Sequence, residues 1–177
     1  MRIAFYAPMK PPDSGIPSGD RQMARMLIRA LEIGGHDVGV ASRFVSRDGR
    51  GNAARQARIE ALGARMADRL MRRMRRGGAP DAWFTYHLYH KAPDHLGPAV
   101  CAALGIPYIV TEASHAPKQA GGPWDIGYRA AERAIRAADA VIGLSSLDAA
   151  CVRPLLRDPH RYIAMRPFTD TAPGGAA

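Results

Sequence analysis

The sequence has few cysteines and no long apolar segment, and each shortage excludes a class of protein. Its 177 residues include two cysteines, which cannot form a disulfide framework or a four-sulfur zinc site by themselves. Cys101 and Cys151 fall at periodic helix positions, so we expect both to be reduced residues of the core. The apolar run after Arg2 ends at Pro8, too early for a signal peptide or a membrane span. We therefore expect a cytoplasmic protein.

Lysine is also scarce, although the chain is strongly basic. Lysine and arginine total 25 against 16 acidic residues, a formal net charge of +9, and the only lysines are Lys10, Lys91 and Lys118. This balance favours an anionic partner such as nucleic acid, anionic lipid or a phosphorylated ligand. With 47% hydrophobic and 23% charged residues, the chain has enough apolar side chains for one folded domain, and wholesale disorder is not expected.

Short apolar runs alternate with helical patterns along the chain. The strand-like runs are residues 3–7, 36–41, 82–86, 108–111, 140–144 and 161–165. The helical patterns are those after Ser18 or Asp20, over 53–76 and 96–104, after Asp125, and after Ser145 or Ser146. Strands separated by helices predict an α/β fold over residues 1–170, with a doubly wound, mostly parallel, Rossmann-like sheet flanked by helices. Residues 171–177 have the small-residue composition of a linker.

The loop after the first strand is rich in glycine and proline. In an open α/β sheet, ligands bind beyond the carboxyl ends of the strands, and this loop lies there. Gly15 and Gly19 would let backbone N–H groups approach a phosphate or a sugar hydroxyl at a helix N-terminus. The candidate substrate-binding residues are therefore Ser14, Gly15, Ser18 and Gly19. The pattern is neither G-x-G-x-x-G nor the phosphate-binding loop of ATPases. The alternative is that the glycines only shape a turn.

A second polar cluster follows the third strand-like run. Tyr86, His87, His90 and Lys91 predict a polar, aromatic rim for a sugar or a phosphate-bearing ligand. Two histidines three positions apart can contact zinc, but no third ligand stands at metal spacing, so we expect no metal. The alternative is a surface loop with ordinary hydrogen-bonded histidines.

A third cluster follows the fourth strand-like run. Glu112, His115 and Lys118 offer a carboxylate, an imidazole and a phosphate-compatible cation within seven residues. A serine hydrolase would carry G-x-S-x-G at a strand–helix elbow, and this sequence has no such motif. The three side chains are therefore candidates for substrate binding and acid–base chemistry of another kind.

Residues 50–76 carry most of the excess charge. Nine arginines stand there against Glu60 and Asp68, a surplus of seven positive charges. Apolar residues lie opposite the arginines at helical spacing: Ile59, Leu62, Met66, Leu70 and Met74. A basic amphipathic helix can bind an anionic membrane surface from the inner face; the alternative is a core-packed stripe with a solvated basic face. We expect no nucleic acid, because no aromatic residue interleaves with the arginines.

Taken in order, these motifs resemble the N-terminal domain of family 4 glycosyltransferases over nearly the whole chain. The segments that carry the resemblance are residues 1–8, 14–19, 31–38, 111–118 and 138–146. The resemblance implies one half of a GT-B fold, which has two Rossmann-like domains. It also implies transfer of a hexose, with retention of configuration, from a nucleotide-sugar to an acceptor. The nucleotide-sugar is then the donor substrate, and no tightly bound cofactor is implied.

The resemblance also implies roles for particular residues. The acceptor would be held mainly by this half, the first glycine loop would approach the acceptor and the donor phosphates, and His115 would lie near the reacting sugar as a catalytic residue. The family's donor half carries two glutamates eight positions apart, whereas the glutamates here are Glu32, Glu60, Glu112 and Glu132. We therefore expect an acceptor domain that lacks its C-terminal donor domain and is inactive alone. The alternative is a stand-alone Rossmann-like module that binds a phosphorylated small molecule.

Overall fold

A parallel sheet of six strands runs through residues 1–169, the part of the chain that the computed structural model describes. The strands are β1 (Arg2–Tyr6), β2 (Asp37–Ser42), β3 (Ala82–Leu88), β4 (Tyr108–Ala113), β5 (Ala140–Gly143) and β6 (Tyr162–Ala164). They lie side by side in the order β2-β1-β3-β4-β5-β6, and every neighbouring pair is parallel. The chain winds first to one side of β1 and then to the other, which confirms the predicted doubly wound α/β fold. The predicted linker, residues 171–177, lies outside the described residues.

Five α-helices of the described chain connect the strands: α1 (Gly19–Ile33), α2 (Ala53–Gly77), α3 (Gly97–Leu104), α4 (Asp125–Ala137) and α5 (Ser146–Val152). The hydroxyls of Ser18 and Ser145 accept hydrogen bonds from the first turns of α1 and α5, as predicted. The predicted cap at Asp125 is wrong, because Trp124 occupies the cap position of α4. The Asp125 carboxylate instead accepts a hydrogen bond of 2.7 Å from the N–H of Gly121.

Apolar side chains cover both faces of the sheet. On one face, α2, α3 and α4 pack over residues that include Trp83, Tyr108 and Val141. On the other face, α1 packs over Phe5 and Phe84, whose stacked rings have centroids 5.7 Å apart. The division follows from strand geometry, since successive side chains of a strand point to opposite faces. No helix within residues 1–169 is long and apolar enough to cross a membrane.

The inward face of α2 differs from the predicted apolar stripe at one position. Leu62 is 44% exposed, and its neighbour Gly63 is buried instead. The reason is a close approach to the segment before α3: a Cβ on Gly63 would come 2.4 Å from the Cβ of His95. Glycine thus lets the helix pack tightly there, and the larger leucine side chain lies toward solvent. The rest of the stripe packs as predicted, with Ile59 and the later members buried or partly buried.

The two cysteines have different surroundings. Cys101 on α3 is buried, as predicted, and burial raises the pKa of its thiol, with the charges of Asp94 and Asp139 adding to the effect. Cys151 on α5 is exposed, so the prediction that it belongs to the core is wrong. The short helix α5 buries Val152 instead, because seven residues form fewer than two turns and offer the core few positions.

A buried carboxylate joins β3, β4 and the start of α3. Asp94 is 3% exposed, and its Oδ2 accepts hydrogen bonds from the hydroxyls of Thr85 (2.6 Å) and Tyr108 (2.9 Å). Its Oδ1 accepts from the backbone N–H groups of Leu96 (2.7 Å) and Gly97 (2.8 Å). Burial, and then the charge of Asp94, raises the pKa of Tyr108, so this hydroxyl keeps the proton that it donates. Hydrogen bonds therefore satisfy the buried carboxylate.

Asp94→Ala should lower the free energy of unfolding by about 3 kcal/mol, because it leaves several buried donors without an acceptor. Urea denaturation followed by far-UV circular dichroism would report this as a lower midpoint at an unchanged slope. Asp68→Ala, on the exposed side of α2, is the matched control and should change stability by less than about 0.5 kcal/mol. Equal effects of the two substitutions would contradict the role given to Asp94.

Candidate functional site

A polar cleft of about 220 Å³ opens at the carboxyl ends of β3, β4 and β5. The residues that line it are His87, Glu112, Ala113, Ser114, Gly143, Leu144, Ser145 and Asp148. Its position follows from the topology, because ligand sites of open parallel sheets lie where strands end and helices begin. The imidazole, hydroxyl and carboxylate groups in the lining can donate to and accept from the hydroxyl groups of a ligand.

Two residues of the lining have a backbone conformation that large side chains rarely adopt. His87 has a φ of 61° and Glu112 a φ of 56°, in the left-handed region that favours glycine. They lie near the ends of the neighbouring strands β3 and β4. Such conformations cost about 1–3 kcal/mol each and cluster at ligand sites, where the surrounding structure enforces them. That two of them face one cleft marks it as the candidate functional site.

The first turn of α1 reaches the cleft through an ion-pairing contact. The carboxylate of Asp20 lies 2.9 Å from Nδ1 of His87. An ionised carboxylate can only accept a hydrogen bond, so Nδ1 carries the proton and donates it to Asp20. This fixes the orientation of the imidazole and leaves its Nε2 outside the contact with Asp20.

Tyr86 and Glu112 connect this pair to β4. Burial raises the pKa of the Tyr86 hydroxyl, and the charges of Glu112 and Asp20, together with a hydrogen bond to Glu112, raise it further. The hydroxyl therefore stays protonated and serves as a donor to the carboxylate. Together with His87, these side chains bring α1, β3 and β4 to one point. The predicted candidates Tyr86, His87 and Glu112 are thus neighbours in the structure.

The loop Ser14–Gly19 leads into α1 on the same side of the sheet. The Ser18 hydroxyl caps the helix by accepting from the N–H of Arg21 at 3.2 Å, and the Ser14 carbonyl accepts from the Arg21 guanidinium at 2.8 Å. A Cβ at Gly15 or Gly19 would meet nothing within 4 Å, and neither residue has a positive φ. The turn itself therefore does not require glycine at these two positions. The space beside their backbones is open to a ligand.

His90 and Lys91 lie outside the lining of the cleft. An antiparallel bridge between Tyr89 and Ala92 turns the chain back after β3. As a result, the His90 ring lies against Trp124 with centroids 5.9 Å apart, and Lys91 Nζ lies 4.6 Å from the centre of the same indole. The structure therefore divides the predicted rim into two parts. Its first two members adjoin the cleft, and its last two contact the loop before α4.

His115 packs beside α4, also outside the lining of the cleft. Its ring stacks on Tyr128 with centroids 5.2 Å apart, and its Nε2 lies 3.6 Å from Oε2 of Glu132. The side chain is 7% exposed, and within residues 1–169 its Nε2 has no hydrogen-bond partner. Lys118 follows on a short 3-10 turn and is exposed. The predicted cluster is thus divided as well, with Glu112 in the cleft and the other two beyond it.

Six lining residues and Asp20 are not predicted as site residues from the sequence. Ser145 and Asp20 are recognisable there only as candidate helix caps, and Asp148 is an unremarkable residue of a short helix. The usable signal is position: every strand end of a parallel sheet is a place for ligand contacts, and β5 ends two residues before Ser145. Within the described residues, no group of three or more His, Cys, Asp or Glu side chains could hold a metal ion.

Among known proteins, this chain resembles solved structures in its fold. No protein-family model and no curated protein sequence matches the chain. Eight chains among solved structures match it. One is a UDP-glucosyltransferase from Polygonum tinctorium, capable of glucosylating indoxyl and solved with 3,4-dichloroaniline. The likeness has a TM-score of 0.53 at 12% identity and covers 99% of this chain and 54% of that one. The chain thus has a glycosyltransferase-like fold and spans about half the length of that enzyme.

The histidines near the site predict a loss of stability in mild acid. Burial lowers the pKa of His90 below the ordinary 6.5, and the charges of Lys91 and Lys118 lower it further. Burial also lowers the pKa of His95. Below pH 6.5 the unfolded chain therefore binds protons that the folded chain does not, so stability falls as the pH drops through that value. Urea midpoints at pH 7.5 and 5.5, with NMR titration of both rings, measure this; ring pKa values at or above 6.5 would contradict it.

Proposed function

We propose that residues 1–170 form the N-terminal, acceptor-binding domain of a retaining family 4 glycosyltransferase of the hexosyltransferase type. The observation that carries the proposal is the cleft at the ends of β3, β4 and β5, where His87 and Glu112 both have positive φ. A glycosyltransferase-like fold supports it, as do the family-like segments along the chain. The sugar acceptor is the ligand proposed for the cleft.

Within this proposal the side chains of the cleft have complementary roles. His87, oriented by Asp20 at 2.9 Å, accepts a hydrogen bond from an acceptor hydroxyl through its free Nε2. Glu112 and Asp148 accept from further hydroxyls, and Ser114 can both donate and accept. A sugar presents several hydroxyls on one small ring, so a cleft of about 220 Å³ with this lining suits one sugar unit.

The remaining predicted residues are proposed to act around this centre. Residues 14–19 approach the acceptor and the donor phosphates, because backbone N–H groups at the start of α1 attract anions. His115 is proposed to lie near the reacting sugar as a catalytic residue, with Lys118 close to it. His90 and Lys91 are proposed to bind a more distant part of the substrate. No tightly bound cofactor is proposed, and the nucleotide-sugar is a substrate.

A further domain is proposed to bind the donor. The chain spans 54% of the glucosyltransferase that it resembles in fold. None of the glutamates in this sequence forms the closely spaced pair expected of a donor half. We therefore propose that nucleotide-sugars bind mainly to a C-terminal partner domain, and that the 177 residues alone transfer sugar poorly or not at all.

Isothermal titration calorimetry and NMR on the 177-residue chain test this division. Titration with a panel of nucleotide-sugars should give weak binding or none. A panel of simple glycosides should instead shift the amide signals of His87, Glu112 and Ser114. Tight binding or turnover of a nucleotide-sugar would contradict the acceptor-domain proposal. Binding of phosphorylated metabolites in the cleft, without any glycoside binding, would favour the alternative of a stand-alone module for phosphorylated small molecules.

His87→Gln should weaken binding of whichever glycoside occupies the cleft by about tenfold, because loss of one oriented hydrogen bond is worth about 1.4 kcal/mol. Asp20→Asn should weaken it less, since the ring remains but its orientation is less fixed. His115→Gln is the control for glycoside affinity, because His115 lies outside the lining of the cleft. NMR titration of the three variants measures the differences. Unchanged affinity in His87→Gln would contradict the role given to that residue.

We also propose an anionic membrane surface as a partner of α2. Five exposed arginines share the face of α2 opposite the core, here called the arginine face: Arg58, Arg65, Arg69, Arg72 and Arg76. Glu60, a nearby carboxylate, is paired with Arg133 at 2.6 Å and does not neutralise them. A helix that lies on a membrane with such a face gains electrostatic attraction to anionic lipids. The protein would then dock peripherally at the inner face of the membrane.

Substituting three residues of the arginine face, as R65Q/R69Q/R72Q, should weaken binding to phosphatidylserine-containing vesicles about a hundredfold, since each arginine near the surface contributes about 1 kcal/mol. Binding should also fall as salt is raised. Vesicle co-sedimentation measures both effects. R153Q/R157Q/R166Q removes the same charge from exposed residues elsewhere in the chain and should bind vesicles like the unmodified chain. Equal binding to neutral vesicles would support a merely solvated basic face.

A further inference from the structure

A second concave surface lies at the same edge of the sheet, beyond β2. The segment between β2 and α2 encloses about 540 Å³, lined by Arg47, Asp48, Gly49, Arg50, Asn52 and Arg55. It is separate from the cleft described above, because the two linings share no residue. We call Arg47, Arg50 and Arg55 the arginine cradle.

The cradle presents more positive charge than its own lining neutralises. Within residues 1–169, Arg47 and Arg50 have no ion-pair partner, and Arg55 lies 3.9 Å from Asp48 with most of its side chain exposed. Asp48 is the carboxylate of the lining, and it is 2% exposed. Its oxygens are already used by hydrogen bonds from the N–H groups of Arg50 (3.2 Å) and Asn52 (2.8 Å) and from the Gln56 amide (3.0 Å). The guanidinium groups of Arg47 and Arg50 therefore stay available, and Arg55 shares its charge with Asp48.

Hydrogen bonds to the region around Trp124 hold in place the segment that carries the cradle. The Gln56 amide donates to the Pro123 carbonyl at 2.8 Å, and its oxygen accepts from the N–H of Gly127 at 3.0 Å. The Trp124 indole donates to the carbonyl of Asp48 at 2.9 Å. Side chains on a pre-organised support lose less conformational entropy when they bind. Although the arginine side chains are exposed, their backbone positions are thus fixed.

Guanidinium groups around a concave surface select a particular ligand chemistry. Each is planar, permanently charged and able to donate two parallel hydrogen bonds to a phosphate. Three of them around one space match the several oxygens and the double charge of a phosphate monoester better than a single carboxylate. Phosphate is therefore the group that the cradle fits.

A row of rings connects the cradle to the cleft. His87 lies in the cleft, and its ring centroid is 5.1 Å from that of Tyr89. Tyr89 lies 5.3 Å from His90, and His90 lies 5.9 Å from Trp124. The Trp124 indole N–H in turn donates a hydrogen bond to the backbone carbonyl of Asp48, which belongs to the segment that carries the cradle. Tyr89, His90 and Trp124 are each partly exposed, with Lys91 lying over the Trp124 ring, so the row offers an amphipathic path for a ligand that extends from the cleft toward the cradle.

We propose that the arginine cradle binds a phosphate group, and that this phosphate belongs to the acceptor. The identification with the acceptor rests on the proposed function, whereas phosphate binding by the cradle does not. The acceptor is then a phosphorylated glycan whose reacting sugar lies in the cleft and whose phosphate lies at Arg47, Arg50 and Arg55. The cradle thereby selects anionic acceptors over neutral ones.

NMR titration of the 177-residue chain with inorganic phosphate tests the cradle directly. Amide signals of Gly49, Arg50 and Asn52 should shift, and R47Q/R50Q/R55Q should bind phosphate at least about tenfold more weakly. R153Q/R157Q/R166Q removes the same charge from exposed residues elsewhere in the chain and should bind phosphate as the unmodified chain does. Unchanged binding by the cradle variant, or equal loss in both variants, would overturn the proposal. The single substitutions R47Q and R50Q, on exposed side chains, serve if the triple variant does not fold.

A second titration separates this proposal from the proposed function. A sugar phosphate and its unphosphorylated counterpart are compared, with signals read at both the cleft and the cradle. Binding of the sugar phosphate through both places supports the phosphorylated acceptor. Phosphate binding at the cradle with no glycoside at the cleft would leave the cradle standing and overturn the acceptor assignment. Glycoside binding at the cleft that is indifferent to the phosphate of the sugar and to the cradle variant would overturn the assignment of this phosphate to the acceptor and leave the proposed function standing.

Discussion

The hydrogen bonds to the buried Asp94 carboxylate fix the geometry on which the rest of the structure depends. A charge at this depth is tolerated only because hydroxyl and backbone donors surround it, so the elements that carry those donors cannot move independently. Those elements are β3, β4 and the start of α3. Because β3 and β4 lead directly to His87 and Glu112, the same constraint sets the separation of the two strained residues of the cleft. The rigidity of the site thus originates in the core beneath it.

A second buried carboxylate, Asp48, repeats this arrangement beyond β2. It joins the segment before α2 to the loop before α4 through Gln56 and Trp124. Its pKa is lowered because hydrogen bonds from Arg50 and Asn52, together with those from Gln56 and the charge of Arg55, outweigh the effect of burial. Two buried carboxylates, Asp48 and Asp94, therefore fix the loops at the carboxyl edge of the sheet. The exposed functional candidates are attached to backbone that these acids hold in place.

The sequence predicts much of the fold but less of the site, for a physical reason. Apolar runs and helix caps are local signals, so the strands and the cap at Ser18 are predicted correctly. Leu62 could not be placed, because its exposure depends on the approach of His95 to the neighbouring glycine, which is a contact between distant segments. The geometry of the site likewise depends on contacts between segments that are distant in the sequence. Strand-end position marks His87 as a candidate, but neither its positive φ nor its contact with Asp20 has a local signature in the sequence.

Distance, finally, decides how the net charge of +9 acts. Arg58 of the arginine face lies only about 4.5 Å along the helix from Arg55 of the cradle, but Arg65 and the later members lie about 15 Å or more away. Screening at physiological salt reduces interactions between exposed charges beyond about 8 Å. Arg65, Arg69, Arg72 and Arg76 therefore act almost independently of the cradle, whereas Arg58 lies close enough to Arg55 to act with it. An extended anionic surface would meet the arginine face, whereas a single phosphate fits the concave cradle. Net charge alone cannot distinguish these partners, but the placement of the arginines can.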